Sequence, residues 1–423
     1  SGFSAAVYAA DWNVSVATGL DDRAAKTPLH TDSMLVWGSV TKMFTAAAVL
    51  RAVEAGSILL DEPVAPYIDP WLKRVNGSSL SELFGPEVGL VSARDCIQMS
   101  SGFQDFEVEP HLRLLQNAYP SVDLDNPLNA IAWTNKSFFY PPGFASMYVS
   151  FNFEVAGMLL AALDNASNWD TYSQRRGAIP AALERQLRAT AFPVHGPCGN
   201  FIGGTHNGRN GSAAHGYQRS LDGLVAPADR GLAEKYPGAW SDVWNMSCTS
   251  GWACGNVAIS PADLAMYTYH LFGQTPPFGP VVADPDLRAQ MTSPWRPMCL
   301  DSNPIYPCTP KMGYGLGVML GPPGALGYSW GGPIGSPCVF NATLPDNTTV
   351  PMDCTNYGHG GEEYGYLGSA YFFPQYDVAV SIGTNVETYA FDTLWRTSDT
   401  SHAVQAAVLT ALAHDAHRSG QKV

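Results

Sequence analysis

Gly38-Ser39-Val40-Thr41-Lys42-Met43-Phe44-Thr45-Ala46 is the stretch on which the reading of this chain turns. Ser39 opens a helical pattern in which Val40, Met43, Phe44, Ala47 and Leu50 recur at helical spacing, with Gly56 as a stop. Residues three apart share a helix face, so Lys42 stands one turn from Ser39. At a helix N-terminus, free N–H groups and the positive dipole end favour developing negative charge. A serine hydroxyl is a weak nucleophile until a neighbouring base takes its proton, and a lysine amine serves if burial depresses its pKa. The spacing alone is unspecific, because Ser419-Gly420-Gln421-Lys422 shares it in a polar tail. An apolar lead-in, Gly38 just before Ser39 and a long amphipathic helix after it set this copy apart.

Outward from this helix, Phe3 to Thr18 alternates like a strand pair, with Asp21 and Asp22 in the turn region beyond. Residues 60–310 read as helices between long loops, including Phe153 to Leu163 and Pro180 to Thr190. Ser260-Pro261-Ala262-Asp263 carries a capping hydroxyl, a first-turn proline and an acid, which start a helix. After Tyr314-Gly315-Leu316-Gly317, glycines and aromatics alternate with β-branched runs such as Val378 to Ile382, and a helix over Ala403 to Ala413 follows. Strands at both ends with helices between predict an α/β (α+β) fold, an antiparallel sheet flanked by helices. The sheet domain is expected from residues 1–60 plus 311–423, and a mainly helical inserted domain from 61–310.

The 423 residues are 46% hydrophobic and 14% charged, which is a globular composition. A net charge of -14 disfavours nucleic-acid and anionic-membrane partners. The longest apolar run, Val155 to Leu163, is too short to span a bilayer. The start at Ser1, with no apolar leader, is expected from leader removal or processing. Eight cysteines without a C-x-x-C pair argue against structural zinc. Three pairs close in sequence are expected as local disulfides: Cys248 with Cys254, Cys299 with Cys308 and Cys338 with Cys354, while Cys96 reads as a buried thiol. His414 and His417 have no third ligand and read as a solvated tail, so no metal site is expected.

Asn-x-Ser/Thr sequons begin at Asn13, Asn76, Asn135, Asn165, Asn210, Asn245, Asn341 and Asn347. With 19 asparagines and a Ser/Thr frequency of roughly one in eight, chance gives about two or three. Sequons and cysteines together point to glycosylation on a secreted, eukaryotic route.

Several segments in order resemble the superfamily of class C β-lactamases, D-Ala-D-Ala carboxypeptidases, esterases and D-aminopeptidases, the penicillin-recognising fold. Gly38 to Ala46 is similar to its active-site helix, and Ser92 to Phe103 to its following loop-bearing helix. Tyr148-Val149-Ser150 resembles its Y-x-N element, Gly251 to Leu264 its helix-entry segment, and Gly358-His359-Gly360-Gly361 its H-x-G strand. The resemblance spans nearly the whole chain. It implies a Ser39 acyl-enzyme hydrolase without metal or organic cofactor, in which Lys42 and Tyr148 handle the proton. A phenol beside a cationic lysine is expected to have a lowered pKa. The backbone N–H groups of Ser39 and Glu362, next to Gly361, would hold the oxyanion, while the Glu362 and Glu363 side chains either point to solvent or place a negative charge near the cleft that favours an amine-bearing substrate.

Two departures bear on substrate. Ser150 replaces the family's asparagine and offers one short donor. His359 and Gly360 stand where β-lactamases and carboxypeptidases carry lysine and a hydroxyl residue for a substrate carboxylate, although esterase and aminopeptidase branches also show histidine there. The resemblance therefore implies a small ester, amide or peptide substrate rather than a β-lactam. The alternative is a non-catalytic extracellular glycoprotein that keeps the fold.

Overall fold

A computed structural model describes residues 2–107, 112, 115–116, 119–202, 211–219, 240–299, 312–321, 338–387 and 397–419. Gly2–Tyr8 (β1) and Asn13–Gly19 (β2) form the expected antiparallel pair, Val7 opposite Val14. They join Ser146–Met147 (β3), Arg296–Cys299 (β4), Met312–Tyr314 (β5), Met319–Gly321 (β6), Asn356–Glu363 (β7), Tyr366–Phe373 (β8) and Val378–Thr384 (β9) in one nine-stranded sheet of order β2-β1-β9-β8-β7-β6-β5-β4-β3. Every neighbouring pair is antiparallel except β3 with β4. Segment 61–310 thus contributes the last two strands at one end of this sheet as well as helices.

Strand alternation sends β1 and β9 residues to opposite faces. Ala5, Val7, Val380 and Ile382 pack with Leu409 and Ala413 of the helix Thr397–Ser419. Ala6, Tyr8 and Ala379 pack with Ala265 and Tyr269 of the helix Pro261–Phe272, whose N-cap Ser260 accepts from the Asp263 N–H as expected. The larger core surrounds Thr41–Glu54 (α1), which is buried on all sides from Thr41 to Leu50, as a helix through the middle of a core must be. Phe44 stacks on Tyr267 at 3.8 Å between ring centroids. Burying such a side chain is worth about 1.5–3 kcal/mol. The helix Phe151–Leu163 (α2) is equally buried and crosses beside α1.

Two sequence expectations are corrected here. The helix expected over Pro180 to Thr190 spans only Ala181–Glu184. The Arg175 guanidinium takes the carbonyls of Leu187 and Thr190, and Thr190 pairs with Ile259 as a strand, so the chain leaves the helix. Cys248 is bridged not to Cys254 but to Cys198, at a Cα separation of 4.6 Å. An isolated bridge between Pro197 and Ser247, with the Cys198 N–H on the Met246 carbonyl and the Cys248 N–H on the Gly196 carbonyl, sets these two cysteines side by side. Cys254 is a free buried thiol, as is Cys96. Cys338 and Cys354 are bridged and close the hairpin of Val339–Thr343 and Thr349–Asp353. Cys299 is in a disulfide, while Cys308 and Asn210 lie outside the described residues.

Candidate active site

Ser39 sits in a single 3-10 turn, Gly38–Val40, that runs straight into α1. Trp37 anchors the turn: its indole donates to the Ile259 carbonyl at 2.7 Å and lies across Gly368 and Gly383 of β8 and β9. On its other side the turn touches β7 backbone. A Cβ on Gly38 (φ +47) would fall 2.1 Å from the Glu362 carbonyl oxygen, and one on Gly361 would fall 1.8 Å from the Trp37 carbonyl oxygen. Only glycines allow this approach, and it sets the peptide units of Glu362 and Ser39 against each other.

One turn on, the fully buried Lys42 Nζ donates to Ser39 Oγ at 2.8 Å and to the Cys254 carbonyl at 3.1 Å. The same loop holds the rest of the helix start. Thr45 Oγ1 donates to the Ala253 carbonyl at 2.6 Å, and the Val257 N–H donates to Thr41 Oγ1 at 2.9 Å. Burial pulls the Lys42 pKa down, but Tyr148, Cys254 and Glu107 pull it up harder, so it lies above the usual lysine value. The condition under which a lysine amine would serve as the base, a depressed pKa, is therefore not met in the resting site.

Tyr148 follows β3, its N–H donating to the Cys299 carbonyl at 2.8 Å. Its hydroxyl interacts with both Ser39 and Lys42, and Lys42 Nζ stands 5.1 Å from the centre of its ring. Burial raises its pKa, and attraction to Lys42 offsets only part of this, so the phenol is neutral at rest. This corrects the expectation of a lowered phenol pKa. His359, fully buried on β7, has its ring 6.2 Å from that of Tyr148 and its Nε2 3.1 Å from the Tyr314 hydroxyl. Burial and the nearby Lys42 push its pKa down to about 3. It is a neutral imidazole at pH 7.

Ser39, Lys42, Tyr148 and His359 are therefore brought together, with the Glu362 backbone beside them. Gly360 and Gly361 lie in β7 opposite Ser369 and Gly368. Ser150 is different. Its N–H donates to Asp105 at 3.0 Å, while its hydroxyl is buried and meets no hydrogen-bond partner. The Glu362 side chain is exposed as expected; that of Glu363 is half-buried, with an oxygen 3.6 Å from where a Gly255 Cβ would stand.

The profile of the family named Beta-lactamase matches residues 1–403. The chain belongs to this family. Within it, the chain is 32% identical over 117 residues to Esterase EstB of Burkholderia gladioli, an alignment covering 24% of this chain and 30% of the esterase. Among solved structures, D-amino acid amidase from Ochrobactrum anthropi SV3 superposes with a TM-score of 0.65 at 17% identity, over 96% of this chain and 93% of the amidase. A penicillin binding protein from Bacillus halodurans gives 0.59 at 15% identity over 96% of each chain. A D-stereospecific amidohydrolase from Streptomyces sp. gives 0.58 at 18%, over 91% and 89%. These structural likenesses establish a penicillin-binding-like fold.

Four residues of this β-lactamase-family site escaped the sequence. Tyr314 was legible only as the start of a strand, yet it is fully buried and ties His359 to the aromatic cluster. Asp105 is buried, and burial together with Glu107 raises its pKa to about 7. Glu154 and Cys254 lie beneath Lys42, where burial raises both well above their usual values. An acid in the apolar run Phe151 to Leu163 was the one available signal for Glu154.

Proposed function

We propose that this protein is a secreted serine hydrolase that forms an acyl-enzyme on Ser39 with small esters or amides, like an esterase or D-amino-acid peptidase rather than a true β-lactamase. The observation that carries the reading is the 2.8 Å hydrogen bond between buried Lys42 Nζ and Ser39 Oγ, with Tyr148 engaging both. Because Lys42 rests as an ammonium and Tyr148 as a phenol, the pair must lose one proton before it can accept that of Ser39. The ammonium then stabilises the phenolate form. Ser39 Oγ attacks the acyl carbon, its proton passes to the Lys42–Tyr148 pair, and the leaving group departs with a proton from that pair. Water, deprotonated by the same pair, attacks the acyl carbon, and as the bond to Ser39 Oγ breaks the pair returns that proton to Oγ and the acid leaves. The N–H groups of Ser39 and Glu362 are assigned to the oxyanion.

Neutral or cationic acyl donors suit the site better than carboxylates. His359 carries no charge, Gly360 has no hydroxyl, and Ser150 is buried. The exposed carboxylate of Glu107 acts on Lys42 and Tyr148 across the cleft, and Glu363 approaches Gly255. The test is turnover of p-nitrophenyl esters and D-amino acid amides by wild type and Ser39→Ala. Loss of activity in the variant supports the reading, and equal activity refutes it. A wild type with neither turnover nor fluorophosphonate labelling favours the non-catalytic glycoprotein.

Secretion with N-glycosylation is supported by where the asparagines lie. All seven described sequon asparagines are exposed: Asn13, Asn76, Asn135, Asn165, Asn245, Asn341 and Asn347. Outside sequons, only Asn200 is exposed among the described asparagines; Asn152, Asn256, Asn356 and Asn385 are buried, and Asn126, Asn129 and Asn168 half-buried. Two bridged cysteine pairs agree with an oxidising compartment. Among the described residues no helix is long and apolar enough to cross a membrane. A mass loss on treating the secreted, eukaryotically expressed protein with an N-glycosidase is the check, and an unchanged mass overturns it.

A further inference from the structure

The loop under Lys42 is an unfavourable piece of backbone. Ser250, Gly251 and Trp252 are three consecutive residues at positive φ (43°, 70° and 38°), a conformation that non-glycine residues hold only when their surroundings impose it. The turn Trp252–Cys254 that follows presents the Ala253 carbonyl to Thr45 and the Cys254 carbonyl to Lys42 Nζ. On the far side from α1 the turn rests on α2. There Gly157 allows close approach: a Cβ on it would fall 2.4 Å from the Ala253 Cβ and 2.7 Å from the Trp252 ring.

One helical turn before Gly157, the same face of α2 carries Glu154. Its side chain is fully buried. Its carboxyl engages Cys254 through both the thiol and the backbone N–H. A Cβ on Gly251 would lie 2.6 Å from Cys254 Sγ and 4.0 Å from Glu154 Oε1, so the two groups converge on one point. An apolar side chain of this size would fill the space without burying a polar group.

We propose that Glu154 is a positioning residue for Lys42, acting through Cys254. Its carboxyl and the Cys254 thiol form a reciprocal donor–acceptor pair that fixes the strained turn and keeps the Cys254 carbonyl on the lysine ammonium. Burial favours the neutral acid, which carries the O–H that a carboxylate lacks. Glutamine keeps a donor and an acceptor at the same place; leucine keeps only the bulk.

The inference rests on the Ser39 hydrolase reading, and the experiment separates the two. Steady-state kinetics on a short p-nitrophenyl ester are measured for wild type, Glu154→Leu, Glu154→Gln, Cys254→Ala and the Leu/Ala double variant, each checked for folding by circular dichroism. Displacing the lysine's backbone partner should lower kcat for Glu154→Leu on the order of tenfold, with KM unchanged. Glu154→Gln should recover to within about threefold of wild type, and the double variant should be no slower than the worse single one, because both changes break one link. A folded Glu154→Leu with wild-type kcat, a Gln variant as slow as the Leu variant, or additive losses would overturn the proposal. Should Glu154→Leu fail to fold, Cys254→Ala against Cys254→Ser makes the same comparison, with serine expected to recover and equal rates overturning it. A wild type without turnover or labelling at Ser39 overturns the hydrolase reading and this inference with it.

Discussion

The two sides of the cleft are built on opposite plans. On the α1 side, Ser39, Lys42 and Tyr148 are mutually engaged, and the lysine has a second partner in the Cys254 carbonyl. On the β7 side, the two positions expected to grip a substrate carboxylate carry no such group: His359 is neutral beside Tyr314, and Gly360 has no side chain. On the proposed function, machinery for acyl transfer and an anchor for an anionic substrate are therefore separable. Breaking each side in turn sharpens the contrast.

The largest effect is expected on the α1 side. Ser39→Ala or Lys42→Ala should lower kcat/KM for an activated ester about a thousandfold or more, because each removes a member of a unit that works together. A Lys42→Ala variant within tenfold of wild type would mean that Tyr148 alone carries the proton. Next in size is the substrate preference set on the β7 side. Each missing charge-assisted contact is worth about 1.5–3 kcal/mol, so the ester should exceed nitrocefin in kcat/KM by at least about a hundredfold. Nitrocefin turned over as fast as the ester would place a carboxylate anchor elsewhere in the cleft.

Three pH effects follow. Both Lys42 and Tyr148 sit above their ordinary values, so the basic form of the pair is scarce at neutral pH and grows as pH rises. The logarithm of kcat/KM should climb from pH 7 to 9 with a slope near unity, about tenfold per unit. A plateau already reached by pH 7 would show a depressed base. The smallest effect is on stability. His359 has an unfolded pKa near 6.5 and a folded one of about 3, so its contribution is full above about pH 6.5 and is lost as pH falls towards 3. In urea titrations across that window, His359→Asn should remove a slope of about 1.4 kcal/mol per pH unit relative to wild type. Asp105 acts in the opposite sense. Its raised pKa of about 7 contributes stability below its unfolded value that is lost as pH rises from about 4 to 7, and Asp105→Asn should remove that slope.

What the sequence disclosed follows the range of the interactions. The hairpin of β1 and β2, helix α1, the cap at Ser260 and the bridged pair Cys338–Cys354 are set by neighbouring residues, and periodicity, capping and spacing revealed them. The pairing of Cys248 with Cys198 depends on a bridge between distant segments, which closeness in sequence could not show. The directions of the Lys42 and Tyr148 pKa shifts were not legible for a related reason. Burial alone lowers a lysine, but the partners that reverse it, Tyr148, Cys254 and Glu107, come from three separate stretches of chain. Tyr314 and Glu154 have no local motif at all. Their significance lies in what they face across the core.

The central claim, that Ser39 is a nucleophile activated by Lys42 and Tyr148, is tested most directly by covalent labelling. The purified glycosylated protein is treated with a fluorophosphonate probe, and the intact mass and the labelled peptide are read by mass spectrometry. One adduct per chain, located on Ser39, abolished by Ser39→Ala and strongly slowed by Lys42→Ala, is the predicted result. An unlabelled wild type, or an adduct on another residue that survives Ser39→Ala, would contradict it.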